Sequence, residues 1–281
     1  MEVVTDISSL RARLKHESSV AFVPTMGGLH EGHLSLVRMA RERADCVVAS
    51  IFVNRLQFAP TEDFEQYPRV FADDCRLLAQ QDTTVVFAPA ENTLYPIRQE
   101  FMVEPGPVAN TLEGQFRPGF FRGVATAVLK LFNIVQPQIA VFGKKDYQQL
   151  HLMRELVKQF NYPVEIVAGE TVRAADNLAL SSRNRYLTGE TRAEATRLYQ
   201  VLAQVRHQIE YGSTCFHDLE QNAAQILCQH GWKTDYVAVR QALTLAPAGR
   251  EDKDIVVLGA ARLGKIRLID NLELRRESCA K

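Results

Sequence analysis

The 281-residue sequence lacks any C-x-x-C pair: its five cysteines, Cys46, Cys75, Cys215, Cys228 and Cys279, are odd in number and scattered. That argues against a disulfide framework or a zinc ribbon, and free thiols in a reducing compartment account for the pattern. No charge of one sign dominates, since 33 basic residues face 33 acidic ones for a net charge of zero. A chain without a basic excess is poorly suited to coat nucleic acid or an anionic membrane, so neither partner is expected. Long apolar runs are missing too: Arg122 and Lys130 interrupt the longest candidate, which falls short of the roughly 20 residues a spanning helix needs. The opening, Met1-Glu-Val-Val-Thr-Asp, has neither the basic end nor the apolar stretch of a signal peptide. Without internal repeats or low-complexity segments, the expectation is a cytoplasmic globular protein.

What is present is ordinary for a folded chain, with 46% hydrophobic and 23% charged residues. The length suggests two domains, at a soft prior of about 150 residues each. Up to residue 174, short β-branched runs alternate with amphipathic stretches. Strands are predicted at 20–23, 46–53, 83–88, 138–143 and 164–168, and helices at 34–43, 71–80, 122–135 and 147–160. Regular alternation implies βαβ units and a Rossmann-like parallel sheet with helices on both faces, making residues 1–174 the α/β domain. In such a sheet ligands lie beyond the carboxyl ends of the strands. From 175 to 281 the texture changes to two long helices, 190–208 and 216–230, then strands at 236–239, 255–258 and 266–270. That order predicts a smaller α+β domain with an antiparallel sheet.

Three segments carry chemistry. Pro24-Thr-Met-Gly-Gly-Leu-His-Glu-Gly-His33 follows the first strand and opens the first helix. Its glycines allow a tight turn, and His30 and His33, three apart, project to the same side of the first helical turn. Free N–H groups and the helix dipole would favour an anion there, with a phosphate as the fitting choice. The letters His-Glu-x-His do not make a zinc site, because metalloproteases space their histidines four apart, so no metal ligand is expected. The second segment, Val141-Phe-Gly-Lys-Lys-Asp-Tyr-Gln-Gln149, again runs from strand to helix. Lys144 and Lys145 offer charge to a phosphate, Asp146 can cap the helix or hold a ribose hydroxyl, and Gln149 lies one turn deeper. The third, Leu180-Ser-Ser-Arg183, offers two hydroxyls and an arginine as a flexible clasp for polyphosphate. Gly259-Ala-Ala-Arg-Leu-Gly-Lys265 has P-loop spacing, but Ile266 follows where serine or threonine belongs, and a hairpin turn is the better reading.

Together the three segments resemble the HIGH-type nucleotidyltransferases and, more closely, the pantothenate synthetase (pantoate–β-alanine ligase) family. The resemblance extends through Phe52-Val-Asn54, Gln57-Phe58, Tyr67-Pro-Arg69, Leu112-Glu-Gly114, Arg117-Pro-Gly, Phe121-Arg-Gly, Leu178-Ala-Leu-Ser-Ser-Arg-Asn184 and the stretch Ala260 to Asn271. It implies ligation of (R)-pantoate and β-alanine with ATP, through a pantoyl adenylate, to pantothenate, AMP and pyrophosphate. Carried over by position, Met26, Gly27, Gly28, Leu29, His30, Glu31, Gly32 and His33 would form the nucleotide turn, with His33 as proton donor. Gly143, Lys144, Lys145 and Asp146 would grip the nucleotide, Lys145 on the phosphates and Asp146 on the ribose. Val172 would meet adenine, and Leu180, Ser181, Ser182 and Arg183 would close over the phosphates. The catalytic set would be His30, His33, Lys145, Ser182 and Arg183. Gln57 and Gln149 would hold pantoate, with Gln57 also beside β-alanine. Mg²⁺ would accompany ATP, and a homodimer would form through the N-terminal domain.

Four positions depart from the family pattern: Arg55 for proline, Phe120 for histidine, Lys144 for glutamate and Asn177 for glycine. Three rivals stay open on sequence alone: a nucleotidyltransferase acting on another acid or phosphate ester, an RNA-binding relative of the class I aminoacyl-tRNA synthetases, and a catalytically weakened scaffold that keeps the dimer, to which Phe120 and Arg55 lend slight support. The glutamine pair favours pantoate over the first, and the balanced charge weighs against the second.

Overall fold

The computed structural model describes residues 1–59, 62 and 64–276. Its first part contains β1 (Glu2–Val4), α1 (Ile7–Leu14), β2 (Val20–Thr25), α2 (Glu31–Arg41), β3 (Cys46–Ile51), α3 (Phe71–Ala79), β4 (Val85–Phe87) and α4 (Glu91–Leu94). It continues with α5 (Glu113–Phe116), α6 (Phe120–Val135), β5 (Ile139–Gly143), α7 (Tyr147–Gln159) and β6 (Glu165–Gly169). The second part holds α8 (Gly189–Glu194), α9 (Arg197–Glu210), α10 (Phe216–Gln229), β7 (Trp232–Gln241), β8 (Asp254–Leu263) and β9 (Ile266–Arg275). The six strands β1 to β6 form one sheet in the order β1-β4-β3-β2-β5-β6, and every pairing in it is parallel. The other sheet is antiparallel, in the order β7-β8-β9.

Both faces of the parallel sheet are covered, which explains why its strands read as unbroken apolar runs. Phe22, Val48, Phe87 and Phe142 point to the face under α1, α6 and α7, while Ala21, Val23, Val47, Ala49 and Val141 point to the face under α2 and α3. The small sheet is likewise covered twice. Val237, Val239, Ile255 and Val257 pack beneath α9 and α10, whereas Ala238, Val256 and Leu258 pack against Leu112 and Tyr147 of the large domain. None of the described helices is long and apolar enough to cross a membrane.

The α/β plus α+β architecture agrees with the sequence reading, with differences of detail: helices α1, α4 and α5 have no counterpart in that reading, and the strands of the small sheet run longer than expected. A sixth strand, β1, pairs with β4 at the sheet edge, and its three residues are too few to reveal a period. The helix expected over 190–208 is interrupted at Ala195 and Thr196. The helix expected from 122 begins at Phe120, after Gly119 in a left-handed conformation (φ 81°). The P-loop-like segment is a hairpin, as read: β8 ends at Leu263, and Gly264 turns with φ 59° into β9. Four cysteines, Cys46, Cys75, Cys215 and Cys228, are free thiols; Cys279 lies outside the described residues.

Helix α6 meets the 3₁₀ turn Arg55–Gln57 backbone to backbone at Gly123. A Cβ there would stand 2.1 Å from the Leu56 carbonyl oxygen and 2.8 Å from the Gln57 nitrogen. Neither atom belongs to a flexible side chain, so the main chain itself would have to move. Gly123→Ala is expected to destabilise the fold by about 1–3 kcal/mol, the range for forced overpacking. Urea denaturation of the two proteins measures it.

Candidate active site

The parallel sheet reverses its winding between β2 and β5, and both strands end in one of the segments singled out above. That is the topological switch point, where a doubly wound sheet opens a crevice. A cavity of ≈230 Å³ lies there and gathers the three segments: Met26, His30, Gly32 and His33 after β2; Gly143, Lys145, Asp146 and Gln149 after β5; Val172 and Leu180, Ser181, Ser182 and Arg183 beyond β6. Gln57 lines it as well. A second cleft of ≈690 Å³ between the two domains adjoins it, sharing Arg117, Phe120, Lys145, Asp146, Gln149, Ser181 and Arg183.

The glycine turn differs from its expected mode of anion binding. Its backbone donors are largely consumed within the protein. Gly27 N–H donates to Thr25 Oγ1 (3.2 Å), Gly28 N–H to Asp74 Oδ2 (2.9 Å) and Leu29 N–H to Asp74 Oδ1 (2.8 Å). His30 N–H donates to His33 Nδ1 (3.3 Å) and Gly32 N–H to His30 Nδ1 (3.1 Å). Gly27, Gly28 and Leu29 are thus buried supports, with Gly27 and Gly28 at φ 80° and 64°, rather than cavity-lining contacts. Glu31 is exposed and pairs with Arg38.

Donor accounting also fixes the imidazoles. Each Nδ1 accepts an N–H, so each neutral ring carries its proton on Nε2. The rings lie 4.1 Å apart. Burial, then the neighbouring His33 and Lys145, pushes His30 down to about 3. Burial, then Lys145, pushes His33 down to about 4. Both are therefore neutral donors at physiological pH.

Gln57 is oriented by Asn54, whose Nδ2 donates to Gln57 Oε1 (3.0 Å), and its own Nε2 lies 3.0 Å from Met26 Sδ. Asn54 is buried, accepts from Tyr95 Oη (2.9 Å) and donates to Gly123 O (3.2 Å). Arg55 anchors the same turn through Glu91 (3.2 Å) and by stacking 3.9 Å over Phe64, so the family proline has a replacement that also fastens the loop. Phe120 lies 3.6 Å beneath the Arg117 guanidinium, which Glu62 grips at 2.6 and 2.9 Å.

Lys144 does not present its charge to the cavity. Its ammonium sits 2.6 Å from both Glu170 and Glu273. Burial works against that charge, but the two carboxylates outweigh it and raise the pKa above the ordinary lysine value. Asp146 makes no side-chain cap on α7; it is exposed at the cavity instead. The Ser-Ser-Arg segment leads into a 3₁₀ turn (Ser182–Tyr186). Ser181 Oγ accepts Arg183 N–H (3.3 Å), Ser182 Oγ lies 3.4 Å from Tyr67 Oη, and Tyr186 Oη donates to Gln66 O (2.9 Å). Leu180 N–H donates to Val172 O (3.0 Å), tying that turn to the segment that follows β6. Asn177 adopts φ 69°, the left-handed backbone that asparagine tolerates in place of glycine.

Asp74, Asn54 and Tyr67 are the supports that sequence reasoning did not assign. Asp74 is 1% exposed although it belongs to the first turn of α3, where acidic residues are common for dipole reasons alone. Only its burial distinguishes it from its neighbour Asp73.

Residues 2–273 match the family described as pantoate-beta-alanine ligase. The chain is similar to the pantothenate synthetases of Nitrosospira multiformis (71% identity over 274 residues, 98% of each chain) and Nitrosomonas europaea (62% over 274 residues, 98% of this chain and 99% of that one). Among solved structures it resembles pantothenate synthetase from Thermus thermophilus, with a TM-score of 0.92, 43% identity and coverage of 97% and 99%. It also resembles pantoate-beta-alanine ligase from Francisella tularensis, complexed with beta-gamma ATP and beta-alanine, with a TM-score of 0.82, 34% identity and 97% coverage of each.

The two histidines generate a pH prediction with a definite sign. Between about 6.5 and about 4 the unfolded chain protonates both rings while the folded chain does not, so stability is complete above this window and falls as pH drops through it. In NMR titration of the folded protein, the His30 and His33 ring resonances should stay at their neutral positions from pH 7 to pH 5. Titration of either near the free value would contradict the assignment.

Proposed function

The chain belongs to the pantoate–β-alanine ligase family, and on that footing we propose that the cavity between β2 and β5 is where its reaction takes place. The reaction is ATP-dependent ligation of (R)-pantoate and β-alanine to pantothenate, AMP and pyrophosphate. In the first half, a pantoate carboxylate oxygen attacks the α-phosphorus of ATP and pyrophosphate leaves. In the second, the β-alanine amine attacks the acyl carbon of pantoyl adenylate and AMP leaves. The observation that carries this placement is the convergence of three separate polar segments and Gln57 on one crevice. Both steps depend chiefly on positioning and on meeting charge that develops on phosphate oxygens.

In this reading the Nε2–H groups of His30 and His33 donate to the phosphates without adding positive charge. His33 acts as a hydrogen-bond donor rather than as an imidazolium acid. Lys145, Ser182 and Arg183 meet the phosphates, Asp146 the ribose, and Met26, Gly32, Gly143, Val172, Leu180 and Ser181 line the nucleotide. Gln57 and Gln149 hold pantoate, with Gln57 also beside β-alanine. Magnesium arrives on the substrate. Among the described residues no group of three or more His, Cys, Asp or Glu side chains could hold an ion, so its ligands come largely from ATP, where it draws charge from the phosphates.

The same reading divides the chain at 174/175, close to where the core of the small domain begins with Ala174 and Leu178. It places the protein in the cytoplasm, consistent with its free thiols. It also assigns a homodimer joined through the N-terminal domain. The exposed apolar residues of that domain, Ile97 (81% exposed) and Phe101 (90%), support that interface.

Pantoate-dependent exchange of labelled pyrophosphate into ATP, with Mg²⁺ present and β-alanine omitted, tests the first half-reaction. Exchange is expected with pantoate and not without it. His33→Ala should slow it by about 10²-fold or more, the scale for one lost transition-state donor, with little change in melting temperature. An unchanged rate in the folded variant would remove His33 from the mechanism. Light scattering should give a dimer for the native chain and a monomer for Phe101→Asp; a native monomer overturns the interface.

A further inference from the structure

Strand β9 belongs to the small domain, yet it reaches across to the turn that presents Lys145. Asn271 on this strand is 5% exposed. Its Nδ2 donates to the carbonyl oxygens of Lys144 (2.8 Å) and Lys145 (3.0 Å). Two carbonyl acceptors can be served only by the NH₂ end of the amide, which settles the orientation of this side chain. A carboxylate in its place would set an anionic oxygen against both carbonyls.

The backbone carrying Asn271 is itself braced. Its N–H donates to Asp270 Oδ1 (2.7 Å), and Arg173 holds Asp270 through two hydrogen bonds of 2.7 and 2.8 Å. Arg173 also donates to Asn271 O (3.1 Å). Two residues along β9, Glu273 takes Lys144 Nζ (2.6 Å) and Tyr147 Oη (2.7 Å). One strand of the small domain therefore grips the Lys144–Asp146 turn by side chain and by main chain. Holding two consecutive carbonyls fixes the peptide planes on both sides of Lys145, and with them the direction in which the Lys145 and Asp146 side chains leave the backbone.

We propose that Asn271 is a positioning residue for the adenylating half-reaction: it sets the turn that aims Lys145 and Asp146 at the nucleotide, without itself doing chemistry. The proposal rests on the function given above. It predicts a selective defect. The ATP-dependent step, which engages the whole triphosphate, should suffer more than attack of β-alanine on an adenylate already formed, which keeps only the ribose and one phosphate.

Asn271→Ala and Asn271→Asp are measured beside the native enzyme in two assays, pantoate-dependent pyrophosphate exchange and aminolysis of added pantoyl adenylate by β-alanine. Exchange should fall by up to about 100-fold with a raised KM for ATP, as expected for misplacement of a catalytic group. The aspartate variant should be the worse of the two. Pantoate KM should stay within about twofold of native, and the aminolysis rate at saturating adenylate should fall clearly less than exchange. Tyr236→Phe is the control for domain docking, since it removes a different contact between the domains (Tyr236 Oη to Glu113, 3.0 Å) without touching the turn. It should leave exchange near native.

Three results would overturn the proposal: exchange near native in both Asn271 variants, equal losses in exchange and aminolysis, or a defect of the same size in Tyr236→Phe. Absence of exchange in the native enzyme would instead count against the proposed reaction, so the two failures are distinguishable.

Discussion

The parting of two neighbouring parallel strands is the constraint from which the site follows. Strand β2 pairs with β3 along all six of its residues, but with β5 only at Ala21–Ile139 and Phe22–Ala140. Gln138 N–H donates to Val20 O, and Phe52 N–H to Thr25 O, so even-numbered residues of β2 face β5 and odd-numbered ones face β3. Pro24 occupies the next even position. It has no N–H with which to continue the ladder toward β5. Past Phe22 the strands separate while β2 stays fastened to β3, and the crevice that opens receives the histidine turn from one side and the lysine turn from the other. A proline within an apolar strand would ordinarily weaken the sheet; here its missing donor marks where the sheet stops being a sheet.

A crevice between diverging strands needs its walls fixed, and the small domain fixes one of them. The contact between domains has an apolar centre of Leu112, Tyr147, Ala238, Leu245, Val256 and Leu258. Polar pairs surround it: Arg267 with Glu113 (2.7 Å), Lys144 with Glu273, and Asn271 with the lysine turn, while Asp235 braces Arg267 from within the small domain (2.7 Å). Buried ion pairs add little net stability, because desolvation offsets most of their attraction, but losing one partner typically costs about 3–5 kcal/mol. Their effect is to admit one relative placement of the two parts. The apolar centre supplies attraction that tolerates sliding, while the surrounding pairs do not tolerate it. A cavity lined by turns from both parts depends on that second property more than on the first.

How much of this could be read beforehand depends on the range of the interaction. The α/β alternation, the antiparallel small sheet, the hairpin at Gly264 and the convergence of the three segments rest on local pattern and chain order, which the sequence states directly. The third dimension decided the rest. Lys144 and Lys145 are adjacent and chemically identical, yet Glu273, 129 residues away in the chain, engages one and leaves the other at the cavity. Asp73 and Asp74 differ in the same way, the first exposed beside Arg76 and the second buried beneath the glycine turn. No local rule separates such pairs, because the distinguishing partner lies on another element. Strand β1 escaped notice for a simpler reason: three residues cannot display a period of two.

The same hydrogen-bond partners set the character of the proposed anion site. A glycine turn at a helix start suggests a cradle of backbone N–H groups, and here five of those groups are already committed to Thr25, Asp74 and the two imidazoles. The turn is tied within the protein, and the groups it leaves at the cavity are the side chains of Met26, His30 and His33. Two imidazoles 4.1 Å apart beside a lysine could not both be cationic without strong repulsion. Kept neutral, with Nδ1 tied inward, each turns Nε2–H outward as a directional donor. Such donors can follow charge as it moves onto a phosphoryl group in the transition state, whereas a fixed surplus of positive charge would bind the ground-state polyphosphate as well. In the proposed reaction this arrangement would favour the step over the substrate, with groups that carry no net charge.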